Sequence, residues 1–233
     1  MCFMNYGDAG GTLDAGKTWF KSSQGNWDYG CVDWSDPKAM TFFGRTHGAQ
    51  LQVSFDQTKT WKRVDASHGL HLGLADANGL LLGGTGGIFL STNKGGSWQK
   101  VSDLKPKSHI MRVFKGTCYW LTDAGVIASK DHGKTWAQLG ANVDGCVGPY
   151  FGADEKSMMV VGLTGFSITH DSGATWKIAA KLPDSIKNGW NAPEGGDPRP
   201  YWFVQFGWDP KANILYTSSL NSPLQKCELG AGN

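Results

Sequence analysis

One short pattern occurs five times along this chain and limits its fold more than any other feature. The copies are Thr12-Leu-Asp14-Ala-Gly16-Lys-Thr18-Trp19, Ser54-Phe-Asp56-Gln-Thr58-Lys-Thr60-Trp61, Ser91-Thr-Asn93-Lys-Gly95-Gly-Ser97-Trp98, Ser129-Lys-Asp131-His-Gly133-Lys-Thr135-Trp136 and Thr169-His-Asp171-Ser-Gly173-Ala-Thr175-Trp176. Their central positions, 14, 56, 93, 131 and 171, are separated by 42, 37, 38 and 40 residues. A repeat of this period between short strand-like runs points to an array of small β-sheets.

Each copy has the chemistry of a tight hairpin turn. The central carboxylate can accept backbone N–H bonds from its own turn. Glycine two residues on supplies a positive φ, and the tryptophan opening the next strand packs over the turn. These residues are read as structural. A calcium loop needs more oxygen ligands than the pattern carries.

The pattern resembles the Asp box, or bacterial neuraminidase repeat, except that Thr58 replaces the turn glycine and Asn93 replaces the acid. The resemblance covers nearly the whole chain and implies an all-β fold, a β-propeller of four-stranded antiparallel blades. Asp-box propellers include sialidases, xyloglucan-cleaving glycosidases, sortilin-type receptors and a photosystem assembly factor. One architecture hosting such different tasks says little about function.

Composition agrees with many tight turns and aromatic packing. Among 233 residues there are 33 Gly and 11 Trp, while charged residues make up only 18%, which disfavours a helical protein. The net charge of +2, with no basic run, disfavours a nucleic-acid partner. No apolar segment approaches the ~18 residues of a membrane helix, so no membrane insertion is expected. Met1-Cys-Phe-Met-Asn-Tyr-Gly lacks the charged start and apolar run of a secretory signal, although the family resemblance suggests a secreted or periplasmic protein. The five cysteines, Cys2, Cys31, Cys118, Cys146 and Cys227, show no disulfide or zinc spacing and are read as small apolar residues. The histidines lack metal-ligand spacing, so no metal or cofactor is expected.

Between repeats the order of segments recurs: an apolar strand, a polar turn, a second strand, a Gly-containing loop, a third strand, the repeat and a fourth strand. This predicts one domain, 1–233, with whole blades at about 27–64, 68–102, 108–140 and 145–180. The remaining pieces, 1–20 and 200–229, either merge into a fifth blade or mark a fragment of a larger propeller. First strands are predicted at Tyr29–Asp36, Leu70–Asp76, His109–Gly116, Cys146–Asp154 and Tyr201–Asp209.

In propellers of this kind the resemblance implies a ligand face opposite the repeats. The longest loop on that side, Ala179–Pro200, carries Trp190, Glu194, Asp197 and Arg199. A structureless stretch of that length is usually functional or disordered. Tyr6-Gly7-Asp8-Ala9-Gly10-Gly11 resembles the Asp-x-Gly-Gly loop that carries an acid in xyloglucan-cleaving propellers, and Thr122-Asp123-Ala124-Gly125 is a weaker version. Gln24-Gly-Asn26-Trp27-Asp28-Tyr29 sets an acid between two aromatics. Glycoside hydrolysis needs two carboxyl groups ~5 to ~9.5 Å apart, and Asp8, Asp28, Asp123 and Glu194 are the available candidates. Trp27, Tyr29, Arg45, His47, Trp190, Asp197 and Arg199 are the candidates for substrate contacts. The resemblance implies that a sialidase would need an arginine triad; of Arg45, Arg63, Arg112 and Arg199, Arg63 directly follows a repeat and is expected to face away, and the usual Arg-Ile-Pro start is absent. A xyloglucanase-like reading therefore ranks above a sialidase. Two functions follow from the sequence. One is a propeller that engages a poly- or oligosaccharide, with hydrolysis as its enzymatic form. The other is a non-catalytic binding or assembly propeller for a protein or glycan.

Overall fold

The computed structural model describes residues 2–4, 9–12, 14–22, 26–33, 40–48, 50–76, 79–162, 165–181, 205–219 and 222–229. Asp8, Trp190, Glu194, Asp197 and Arg199 lie outside these residues, as does almost all of the Ala179–Pro200 loop. Among the described residues there is no helix, and hence none long and apolar enough to cross a membrane.

Among the described residues the strands form six antiparallel sheets, each built from strands consecutive in the chain. Four sheets have four strands. The first of these holds β4 (Trp27–Asp33), β5 (Thr41–Thr46), β6 (Gln50–Ser54) and β7 (Lys62–Val64). The second holds β8 (His71–Leu74), β9 (Leu80–Gly84), β10 (Gly87–Ser91) and β11 (Gln99–Ser102). The third holds β12 (Arg112–Phe114), β13 (Thr117–Thr122), β14 (Gly125–Ser129) and β15 (Ala137–Gln138). The fourth holds β16 (Val147–Phe151), β17 (Met158–Val161), β18 (Gly165–Thr169) and β19 (Lys177–Lys181). Two further sheets have three strands: β1 (Cys2–Met4), β2 (Ala9–Gly11) and β3 (Phe20–Lys21), and β20 (Gln205–Asp209), β21 (Ile214–Ser219) and β22 (Ser222–Glu228). A four-stranded antiparallel meander repeated along the chain is the blade of a β-propeller.

Every repeat occupies the turn between the third and fourth strands of its blade or, for Thr12–Trp19, the turn between β2 and β3. The internal bonding is the same in each. The hydroxyl at the first position donates to the central side chain at 2.6–3.0 Å. It also accepts the N–H four residues on at 2.8–3.0 Å. The central oxygen then accepts the N–H of the second hydroxyl residue at 2.8–2.9 Å. The hydroxyl of that second residue donates to the other carboxylate oxygen at 2.6 Å in the four turns centred on Asp; at Asn93 only this bond reverses, and the amide donates to Ser97 Oγ at 2.8 Å. The turn contains two left-handed residues, where the sequence alone predicts one. Ala15, Gln57, Lys94, His132 and Ser172 have φ of 58–61° immediately before Gly16, Thr58, Gly95, Gly133 and Gly173. Thr58, a β-branched residue at φ 67°, sits in a region that such side chains disfavour.

The chain divides into two compact units, Met1–Trp120 with Ala128–Ala137, and Leu121–Ile127 with Gln138–Asn233. In the first, Phe43, Leu51, Val53 and Val64 pack against Leu72, Leu74, Leu80 and Leu82, joining the inward faces of two neighbouring sheets. Leu81, between two of these residues, turns to the other face and lies against Gly133. A strand buried on both faces reads as an unbroken apolar run, not an alternating one, which explains Leu80-Leu81-Leu82. In the second unit the core is Met159, Val161, Phe166, Ile168, Phe206, Leu215 and Leu229.

The first strands differ from their predicted spans at one or both ends, and at one of them the displaced backbone has a partner of its own. The run predicted as a first strand over His109–Gly116 enters its sheet only at Arg112. The preceding backbone pairs elsewhere: Leu72 N–H donates to His109 O and Met111 N–H to Leu72 O, both at 2.8 Å. These bonds form a parallel bridge between Leu72 and Ile110, so the first strands of two neighbouring blades are tied through their backbones.

Candidate functional site

At the start of β4 the ladder slips by one residue. Trp27 faces Thr46 and Tyr29 faces Arg45, so Asp28 is the extra residue of a bulge. Bulges re-aim side chains and concentrate near functional sites. Asn26, just before it, is left-handed at φ 68°, and its carbonyl accepts the His47 N–H at 2.8 Å. The slip sets the Asp28 carboxylate 3.1 Å from the Arg45 guanidinium and 3.5 Å from His47 Nδ1. Asp28 and Arg45 are only 11% and 12% exposed at the side chain, whereas His47 is 58% exposed. A largely desolvated ion pair therefore has one solvent-facing imidazole at its margin.

Tyr29 continues the cluster. Its hydroxyl donates to Leu70 O at 2.8 Å, and the Arg45 guanidinium carbon lies 5.5 Å from its ring centre, within cation–π range. Its ring stacks on His109 at 4.8 Å and 24°. His109 in turn stacks on His71 at 5.1 Å and 12°. His71 Nδ1 is 3.0 Å from Ser108 O. Since a carbonyl only accepts, that nitrogen carries the hydrogen. The Ser108 carbonyl also accepts the Trp120 indole N–H at 2.9 Å. The result is a row, Asp28–Arg45–Tyr29–His109–His71, contributed by β4, β5, β8 and the run leading into β12. The parallel bridge at Leu72 and Ile110 holds the two histidines in register.

Of the residues predicted from sequence, Asp28, Tyr29, Arg45 and His47 come together here. Trp27 does not join them. Its ring is 1% exposed and packs against Trp61 at 4.6 Å and Phe42 at 5.4 Å, so a predicted sugar platform is a core residue. The bulge is the cause, because it separates the facing of Trp27 from that of Asp28. Asp123 lies in the second unit, exposed in the two-residue turn between β13 and β14, where Thr122 Oγ1 donates to Gly125 O at 2.8 Å and accepts from Ala124 N–H at 3.2 Å.

His71 and His109 are not among the substrate contacts predicted from the sequence. A periodic signal marks them: each stands 22 residues before the centre of its repeat, at Asn93 and Asp131. Among the described residues no group of three His, Cys, Asp or Glu could hold a metal ion. Cys118 is buried in β13, and burial pushes its thiol up to about 12, far from the range of a reactive cysteine.

The chain is similar in structure to the GH74 enzyme of Niastella koreensis, with a TM-score of 0.59 and 17% identity over 97% of this chain and 35% of that one. It is also similar to YCF48 from Cyanidioschyzon merolae, with a TM-score of 0.54 and 11% identity over 87% of this chain and 67% of that one. The chain thus spans about a third of the length of the GH74 enzyme. No protein-family profile matches the sequence, and no curated protein matches it. At these identities the likeness establishes the fold, a β-propeller of four-stranded antiparallel blades.

Proposed function

We propose that the chain is a carbohydrate-engaging propeller of the Asp-box superfamily and that the Asp28–Arg45–His47 cluster with Tyr29 forms part of its glycan-binding rim. The supporting observation is the bulge that places a carboxylate, a guanidinium and an exposed imidazole together at the start of β4. A carboxylate accepts and a guanidinium donates in fixed directions, which suits neighbouring sugar hydroxyls. In this reading Asp28 anchors substrate through its pair with Arg45. Hydrolysis, the activity suggested by the likeness to a GH74 enzyme, would then fall to the remaining candidate acids, Asp8, Asp123 and Glu194.

A second reading, a non-catalytic propeller that binds a protein, is favoured by the fate of the aromatics. Trp27 is committed to the core, and Tyr29 to its stack with His109. A panel of soluble polysaccharides separates the two. Retardation of the protein in glycan-containing native gels, lost in Asp28→Asn and Arg45→Gln, supports the first reading. Release of reducing ends that disappears in Glu194→Gln or Asp8→Asn adds hydrolysis. No retardation by any glycan leaves only the protein-binding reading.

A further inference from the structure

We propose that this rim recognises an anionic polysaccharide, whose carboxylate or sulfate groups pair with Arg45 and with the His71–His109 stack once an imidazole is protonated. The inference rests on the carbohydrate-engaging reading and adds the charge class of the glycan.

The balance of charge around the stack carries the argument. Near the bulge, β4 contributes one carboxylate, Asp28, besides the uncharged Tyr29 and the thiol of Cys31; Asp33 stands at the far end of that strand, opposite Thr41. Against Asp28 the adjoining elements bring Arg45 and His47 from β5 and its turn, His71 from β8, and His109 and Arg112 from the run into β12. The Arg112 charge is near enough to act on the Cys31 thiol. The run before β8 adds Asp65, bonded to Ser67 at 2.7 and 3.0 Å, and His68; the run before β12 adds Asp103, paired with Lys100, together with Lys105 and Lys107. Cationic groups therefore outnumber carboxylates before any imidazole titrates.

The geometry makes the excess dependent on pH. Because His71 Nδ1–H donates to Ser108 O, its Nε2 is the basic atom of that ring. A second imidazole lies 5.1 Å away and nearly parallel. A proton on either ring adds positive charge beside two arginines, and a bound anion offsets it. Ser108, whose carbonyl orients His71, is itself buried.

The test is affinity electrophoresis and titration calorimetry on the full chain with polygalacturonate, a sulfated galactan and neutral xyloglucan, at pH 5.5 and 7.5 and at two salt concentrations. Free imidazoles titrate near ~6.5 and simple carboxylates near ~4, so the polyuronate stays charged at both pH values. An anionic glycan should bind at least tenfold tighter at pH 5.5, and salt should weaken it. His71→Gln/His109→Gln should remove most of that pH dependence, with folding checked by thermal unfolding. His47→Gln, an exposed position, should reduce binding at pH 5.5 without loss of fold. The two anionic arms show whether carboxylate or sulfate is preferred. Binding of xyloglucan equal to or tighter than both anionic glycans overturns the charge class and leaves the carbohydrate reading standing. Full pH dependence in the folded double variant overturns the role of the histidines. No binding to any of the three removes this inference together with the reading it rests on.

Discussion

Asp131 holds Thr135 by both carboxylate oxygens: Oδ1 accepts the backbone N–H at 2.9 Å and Oδ2 the hydroxyl at 2.6 Å. With Ser129 donating to Oδ1 at 2.8 Å, the side chain closes the whole turn. Asp131→Ala should destabilise the protein by about 1–2 kcal/mol, since each charge-assisted bond contributes modestly where water competes. Asp131→Asn should cost less, because Asn93 already closes an equivalent turn. Urea unfolding of the two variants checks the order, and equal losses would contradict it.

The same bonds hold the carboxyls of Asp14, Asp131 and Asp171 at about 2, below the ordinary 3.8, with threonine hydroxyl and N–H donors as the main cause. A carboxyl lowered in the folded state contributes stability that is complete above its unfolded value and is lost as pH falls toward its folded one. Stability should therefore be insensitive to these groups above about pH 4 and decline between about 4 and 2. Carboxyl carbon shifts followed by NMR should titrate near the lower value, and Asp131→Asn should flatten part of the acid decline. A midpoint near 3.8 for all three would refute the account.

Glycines in equivalent turns should not be equally replaceable. At Gly133 (φ 83°) an added Cβ would meet Leu81 Cδ1 at 2.8 Å, whereas at Gly16 (φ 92°) its nearest neighbour is Trp19 at 3.9 Å. Gly16→Ala should cost about 1–2 kcal/mol of left-handed backbone strain. Gly133→Ala should cost that plus about 1–3 kcal/mol of overpacking against the core. Thermal unfolding of both resolves the difference.

The Asp28–Arg45 pair is shielded enough for its rupture to matter. Asp28→Ala should destabilise by about 2–4 kcal/mol because it strands a guanidinium. Adding Arg45→Met should recover part of the loss. A double-mutant cycle with no coupling would show that the two side chains do not act together.

Trp27→Ala should cost about 3–5 kcal/mol as a core truncation. Trp27→Phe, with a smaller loss, should leave glycan binding unchanged at temperatures where it is folded. Selective loss of binding in the Phe variant would return Trp27 to the site.

The turns were legible because they are local. The side chains of Thr169, Asp171 and Thr175 bond within their own turn, so spacing and residue type are enough to identify it, and four-stranded blades follow from the repeat. The candidate site was legible only in part. Asp28, Tyr29, Arg45 and His47 could be chosen from their place near a strand start, but nothing local showed that Trp27 would turn into the core.

By itself the sequence determined the repeat and the turn between third and fourth strands in which each copy lies, through side-chain bonds that close within a few residues. Tertiary structure alone decided that Asp28 would occupy a bulge beside Arg45. It also decided that Tyr29, His71 and His109, from three different blades, would stack. The reason is physical: a one-residue slip redirects every side chain near it, and the histidines align only because backbone bonds join Leu72 to its neighbour blade at His109 and Met111.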